Sequence, residues 1–218
     1  MTRVKICGIK EEVRALAAVE AGADFIGFVF APTRRQVSPA RAREIIDMVK
    51  KNGSAVKPVG VFVDTPAAEV NEIADFCGLD SVQLSGNESW EYCRQITSPI
   101  IKAIRIGQQL REEISAELAV GLKTLSPRRF ITLLDSHVDG KYGGTGITFD
   151  WGLAQPVARE FPVIIAGGLN PENVAQAIEI AMPWGVDVSS GVETEGTKDI
   201  AKIKAFIEAV RRTDDNKR

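Results

Sequence analysis

Eight short apolar runs, each followed by a stretch with apolar residues at helical spacing, punctuate the 218 residues of this chain. The runs are Val4–Ile9, Asp24–Phe30, Val59–Asp64, Ser81–Gly86, Ile100–Ile106, Phe130–Asp135, Val163–Ala166 and Val186–Ser189. Segments this short, bounded by turn residues, read as strands buried on both faces. Between them, Lys10–Gly22 stops in Ala-Gly, and Ser38-Pro39 offers an N-cap with proline in the first helical position. Thr65-Pro66 and Asn170-Pro171 repeat that device, and Ala42, Ile45, Ile46 and Val49 form one of the apolar stripes. Further helices are expected near Trp90–Ile96, at about Arg111–Leu122 and at about Trp151–Glu160, the last bent near Pro156. The final helix carries Ile200, Ile203, Phe206, Ile207 and Val210, and the charged tail Arg211–Arg218 is expected to fray. Eight such units imply a parallel sheet, and closing it as a single (β/α)8 TIM barrel is the economical solution. An open doubly wound sheet would show a glycine-rich fingerprint after its first strand, which Lys5-Ile6-Cys7-Gly8 is not.

The length suits one domain spanning 1–218. A net charge of -2 argues against a nucleic-acid surface, and no apolar segment is long enough to span a membrane. The first strand starts too early to leave room for a leader peptide. Cys7, Cys77 and Cys93 show no metal-ligand spacing, and an odd count suits reduced thiols in a cytoplasmic protein. Cys77 falls on a helix stripe and reads as core.

Ligands of parallel barrels bind at the carboxyl ends of the strands. Alone, Cys7 would be a small core hydrophobe, but it ends the first strand and so faces that rim. The same rim receives the Arg34-Arg35 loop, Asp64, Gln83, Ser85, Arg105, Asp135 and Asp187. Glycine turns follow the sixth, seventh and eighth strands, at Gly143-Gly144-Thr145-Gly146, Gly167-Gly168 and Ser189-Ser190-Gly191. Three consecutive turns of this kind would present backbone N–H groups to a phosphate. Asp135 read alone could be a loop cap; across a pocket from Cys7, the two could divide acid and base work. Arg35 reads either as a solvated loop charge or as a clamp for a carboxylate or phosphate. His137, on a loop, reads as a plain surface residue, and Asp64 and Asp187 read equally well as braces of the rim.

The opening Val4-Lys5-Ile6-Cys7-Gly8-Ile9, the Arg34-Arg35-Gln36-Val37-Ser38-Pro39 loop, Val82-Gln83-Leu84-Ser85-Gly86, Leu133-Leu134-Asp135-Ser136, Ala166-Gly167-Gly168-Leu169-Asn170-Pro171 and Val186-Asp187-Val188-Ser189-Ser190-Gly191-Val192-Glu193 together resemble the phosphoribosylanthranilate isomerase family. The likeness runs from residue 3 to about residue 210 in the right order and spacing. It implies an Amadori rearrangement in tryptophan biosynthesis, of N-(5-phosphoribosyl)anthranilate to 1-(o-carboxyphenylamino)-1-deoxyribulose 5-phosphate, with no cofactor and no metal. It also implies a small phosphorylated substrate; the expected state of the chain is a monomer or homodimer. By this resemblance Cys7 matches the general base and Asp135 the general acid. Arg35 would hold the anthranilate carboxylate, and Gly144, Thr145, Gly146, Gly167, Gly168, Ser189, Ser190 and Gly191 the phosphate. Asp187 matches an aspartate close to the site.

The family usually has histidine where this chain has Ser85, whose hydroxyl can donate a hydrogen bond but cannot carry a proton at neutral pH. Two other readings compete. A lyase or synthase on the same scaffold would use a strand-end lysine, but Lys5 precedes its strand end and Lys102 sits early in the fifth strand. A non-catalytic phosphate-binding barrel would have lost Cys7 or Asp135, and both are present.

Overall fold

The computed structural model describes residues 1–106, 111–125, 130–136 and 149–217. Its strands are β1 (Arg3–Cys7), β2 (Phe25–Val29), β3 (Lys57–Phe62), β4 (Ser81–Leu84), β5 (Ile100–Ile106), β6 (Phe130–Ser136), β7 (Val163–Ile165) and β8 (Gly185–Val188). They pair in parallel in sequence order, and β8 closes on β1 through the register Lys5 to Asp187. The expected barrel is therefore closed. Helices α1 (Glu12–Glu20), α2 (Pro39–Lys51), α3 (Ala67–Cys77), α4 (Trp90–Cys93), α5 (Arg111–Thr124), α6 (Ala154–Glu160), α7 (Val174–Ala181) and α8 (Ile200–Asp215) alternate with the strands.

Strand alternation divides the core into two layers. Val4, Ile6, Ile26, Phe28 and Leu134 point outward and meet the helix stripes, including Ile45, Ile46, Val174, Ile178, Phe206 and Ile207. Phe25, Val59, Ile101, Leu133 and Ile164 pack together inside the barrel. The helix expected to end near Leu122 runs on to Thr124 because Gly121 serves packing. A β-carbon there would lie 2.6 Å from the Trp90 ring, so its absence lets the indole lie against the helix backbone.

Several local expectations are corrected. Ser38 does cap α2, accepting from the Arg41 N–H. Thr65 does not cap α3; its hydroxyl donates to the Val63 carbonyl instead. Asn170 accepts from Glu172 and Asn173 in a turn, and α7 starts only at Val174. The expected bend near Pro156 is a change of helix type. A 3-10 turn at Trp151–Leu153 leads into α6, whose first turn holds Pro156 where no N–H is needed. The tail does not fray at Arg211: α8 continues to Asp215, and buried Asp214 accepts from the Thr2 N–H and hydroxyl, each at 2.7 Å. After β8 comes a hairpin that the apolar pattern does not foreshadow, β9 (Glu193–Thr194) with β10 (Thr197–Lys198). Among the described residues no helix is long and apolar enough to cross a membrane.

Candidate active site

One pocket at the carboxyl ends of the strands is lined by Cys7, Arg35, Ser85, Arg105, Asp135 and Asp187, with Gly167, Gly168, Ser189 and Ser190 on one side. Residues from both ends of the chain thus meet there, as the barrel topology requires. Gly191 lies just behind, where a β-carbon would collide with the Leu169 carbonyl, so the loops after β7 and β8 touch backbone to backbone. Gly143, Gly144, Thr145, Gly146 and His137 lie outside the described residues. Asp64 is not in the pocket. Its carboxylate accepts from the Asn87 N–H at 2.6 Å and joins the loops after β3 and β4, which is the bracing role.

Cys7 ends β1 and is nearly buried, at 7% exposure. Burial pushes its thiol up from the ordinary value; Lys5 draws it back, Asp187 pushes it further up and Lys198 draws it down. Lys5 sits two residues earlier on the same strand face. Its ammonium is buried and lies 2.9 Å from Asp187 Oδ1, close enough to Cys7 for the two to influence each other's ionisation. Burial works against that charge, yet Asp187 and Cys7 together hold Lys5 above its ordinary value.

Asp135 comes from the end of β6. Burial above all, and then the negative charge of Asp187, push its carboxyl up to about 6, against the opposing pull of the Ser136 N–H, Arg105 and Lys5. Its Oδ1 is buried without a hydrogen-bond partner among the described residues. A carboxyl that stays protonated toward neutral pH and has an unused oxygen is equipped to donate a proton.

Arg35 is held by Glu193 through two hydrogen bonds, and Lys198 Nζ meets the same carboxylate at 2.7 Å. Lys198 also donates to the Ser189 carbonyl, and Ser189 Oγ donates to the Cys7 carbonyl. The β9-β10 hairpin therefore ties the loop after β2 to the ends of β8 and β1. Burial first, then Arg35, lowers the Lys198 ammonium, although Glu193 and Cys7 pull it upward. Burial alone would raise the Glu193 carboxyl, but Arg35 and Lys198 outweigh it and hold it low.

After β7, Gly167 and Gly168 adopt φ of +85° and +65°, and Asn173 Nδ2 holds the Gly168 carbonyl at 3.0 Å. The Gly167 and Gly168 N–H groups have no partner among the described residues. Ser85 Oγ accepts from Gln83 Nε2 at 3.0 Å, and the Ser85 carbonyl accepts from Arg105 at 2.7 Å. Among the described residues no cluster of His, Cys, Asp and Glu could hold a metal.

Sequence reasoning set Lys5 aside and left Glu193 and Lys198 without roles. The alternation of strand side chains could have found Lys5, because residues two apart share a face. Glu193 and Lys198 lie on two-residue strands that carry no periodicity. Lys102 of β5 points out of the barrel and pairs with buried Glu88 at 3.1 Å.

Residues 4–209 match the family described as N-(5'phosphoribosyl)anthranilate (PRA) isomerase. A protein named N-(5'-phosphoribosyl)anthranilate isomerase from Dehalococcoides mccartyi is 48% identical over 218 residues, covering 100% of this chain and 99% of that one. The crystal structure of phosphoribosyl anthranilate isomerase from Thermotoga maritima superposes with a TM-score of 0.84 at 40% identity, over 97% of this chain and 100% of that one. A further structure of such an isomerase, in complex with reduced 1-(o-carboxyphenylamino)-1-deoxyribulose 5-phosphate, is 39% identical with a TM-score of 0.81, over 97% and 100% of the two chains.

Proposed function

The chain belongs to the N-(5'-phosphoribosyl)anthranilate isomerase family, and on that premise we propose that Cys7 is its general base and Asp135 its general acid. It converts N-(5-phosphoribosyl)anthranilate to 1-(o-carboxyphenylamino)-1-deoxyribulose 5-phosphate in tryptophan biosynthesis. In the proposed sequence Asp135 gives its proton to the furanose ring oxygen. The ring C–O bond breaks and the nitrogen lone pair forms an iminium. Cys7 as thiolate then takes the C2 proton, the C–H pair flows into the iminium, and the resulting enolamine tautomerises to the ketone. Atoms and electrons balance with protons alone, so the step calls for no cofactor.

The observation that carries this reading is the Asp135 carboxyl, pushed up to about 6 and facing the same pocket as Cys7. The two groups need opposite protonation states: burial holds the Asp135 proton toward neutral pH, while at Cys7 the cations Lys5 and Lys198 work against the burial that raises its thiol. Arg35 is the proposed clamp for the anthranilate carboxylate. Gly144, Thr145, Gly146, Gly167, Gly168, Ser189, Ser190 and Gly191 are proposed to hold the phosphate, supported by the unpartnered Gly167 and Gly168 N–H groups. The proposal treats residues 1–218 as one catalytic domain, acting as a monomer or homodimer. The free thiols Cys7, Cys77 and Cys93 suit the reducing cytoplasm, the proposed compartment.

The test is chromatographic conversion of freshly prepared N-(5-phosphoribosyl)anthranilate by the purified chain, beside Cys7→Ala, Asp135→Asn and an enzyme-free control. Each variant should lose turnover by orders of magnitude with little change in ligand affinity, as groups acting in the transition state do. Near-normal turnover in either variant removes that residue's assigned role.

A further inference from the structure

We propose that Lys5 is a positioning residue for the proton transfer at Cys7: its buried ammonium, anchored by Asp187, converges with the Cys7 sulfur on the space beside Gly27 and favours the thiolate against the burial that opposes it. The inference rests on the reading of Cys7 as general base.

Three observations carry it. Lys5 and Cys7 occupy alternate positions of β1 and share its inward face. Lys5 is 1% exposed, and a lysine so deeply placed needs a fixed set of partners. Asp187, its register partner on β8, supplies one contact at 2.9 Å. The third observation lies across the strand, at Gly27 of β2. A β-carbon placed there would lie 3.0 Å from Cys7 Sγ and 3.2 Å from Lys5 Nζ. Sulfur and ammonium thus converge on one point, and glycine leaves that point open to them.

The charges facing Cys7 come from every side. Asp187 on β8 and Asp135 on β6 oppose a thiolate. Lys198 on the hairpin and Arg35 on the loop after β2 favour one, but both are engaged by Glu193. Lys5 is the cation that shares the strand face and the space beside Gly27 with the sulfur, and its charge draws the thiol down most. It keeps its own proton throughout, while Cys7 takes the substrate's. A barrel brace made only of Lys5 and Asp187 would not need the glycine that leaves room for sulfur and ammonium together.

The experiment follows iodoacetamide alkylation of Cys7 against pH in the full chain, read by peptide mass spectrometry so that Cys77 and Cys93 are counted separately. Turnover is measured in parallel. Wild type is compared with Lys5→Met and with the double variant Lys5→Met/Asp187→Asn, which removes the carboxylate that the single change strands in the interior. In Lys5→Met, alkylation at pH 7 should slow about tenfold or more, the scale for removing an opposite charge within ~4–6 Å, and should recover as pH rises. The kcat should fall in step while KM stays within about threefold. The double variant should show the same direction with a smaller loss, and it replaces the single variant should that one fail to fold. Alkylation that follows the wild-type pH curve within about twofold in either variant overturns the inference. Retained turnover in Cys7→Ala would instead overturn the assignment of the base, so the two failures are distinct.

Discussion

Glu193 grips Arg35 with both carboxylate oxygens, accepting from Nε at 2.7 Å and from the terminal nitrogen Nη2 at 3.0 Å. Such a fork fixes the plane of the guanidinium as well as its place. Arg34 and Lys198 share the same carboxylate, so three cations around one anion leave a surplus of positive charge beside the pocket. A substrate with a carboxylate and a phosphate suits that field.

Glu193→Gln should therefore act mainly on binding. KM is expected to rise about three- to tenfold while kcat changes by less than about threefold, because the loss is in positioning Arg35, the proposed carboxylate clamp. Steady-state kinetics that separate the two constants check this. Stability should also fall, by about 1–3 kcal/mol at neutral pH, since the cations lose their counter-charge. The Glu193 carboxyl is held below its ordinary value of 4.5, so this contribution is present above that value and lost as pH falls through the folded one. The gap in Tm between variant and wild type should thus close in acid.

Gly167 is where backbone and acid meet. Its φ is +85°, and a β-carbon there would lie 2.7 Å from the Ser136 nitrogen and 2.8 Å from Asp135 Oδ1. Gly167→Ala combines a left-handed strain with a clash against the proposed acid. It should cost about 1–3 kcal/mol in urea denaturation and lower kcat about tenfold or more. Unchanged kcat would show that Asp135 need not stand where it does.

The barrel was legible because each strand is buried on both faces and so reads as a continuous apolar run, while the helices show one stripe. Less legible were features that depend on distant partners. Asp214 looks like part of a solvated charged tail until Thr2, 212 residues away, is seen donating to it. Thr65 and Asn170 look like helix caps, but short polar side chains can bond nearby backbone in turns instead, and here they do. In the site, Cys7 and Asp135 were readable from their places at strand ends. Lys5 is less legible, because it lies before the strand end and only the alternation of strand side chains puts it on the face of Cys7. Arg35 was readable as a residue of the rim, but its partner Glu193 sits on a strand of two residues.

The bond between Thr2 and Asp214 closes the end of the barrel remote from the pocket. Arg211 strengthens it by donating to the carbonyls of Thr2 and Gly22. Asp214→Ala strands a buried N–H and hydroxyl and should cost about 2–4 kcal/mol, since both bonds are charge-assisted. Turnover at 25 °C should stay within about twofold of wild type. Equilibrium denaturation beside an activity assay checks both, and a large kinetic effect would mean that the two ends of the barrel are coupled.

Asp135→Asn separates stability from chemistry most sharply. The carboxyl's ordinary value is 3.8 and the fold raises it to about 6, so the native protein binds a proton more tightly than the unfolded chain does. A group raised in this way contributes its full stability below 3.8, and that contribution is lost as pH rises through about 6. At pH 7.5 the buried carboxylate is thus a cost, since each tenfold gain in proton affinity on folding corresponds to about 1.4 kcal/mol. Asparagine fills the same space without the charge. The variant should be more stable than wild type by about 1–3 kcal/mol at pH 7.5, and the difference should vanish near pH 4. Its turnover should nevertheless fall by orders of magnitude, which is the trade expected where a fold tolerates a strained ionisation for the sake of catalysis. Denaturation curves for both proteins across that range decide the matter. A stability difference that does not vary with pH would mean that Asp135 ionises in the fold as it does in water, and the proposed acid would lose its physical basis.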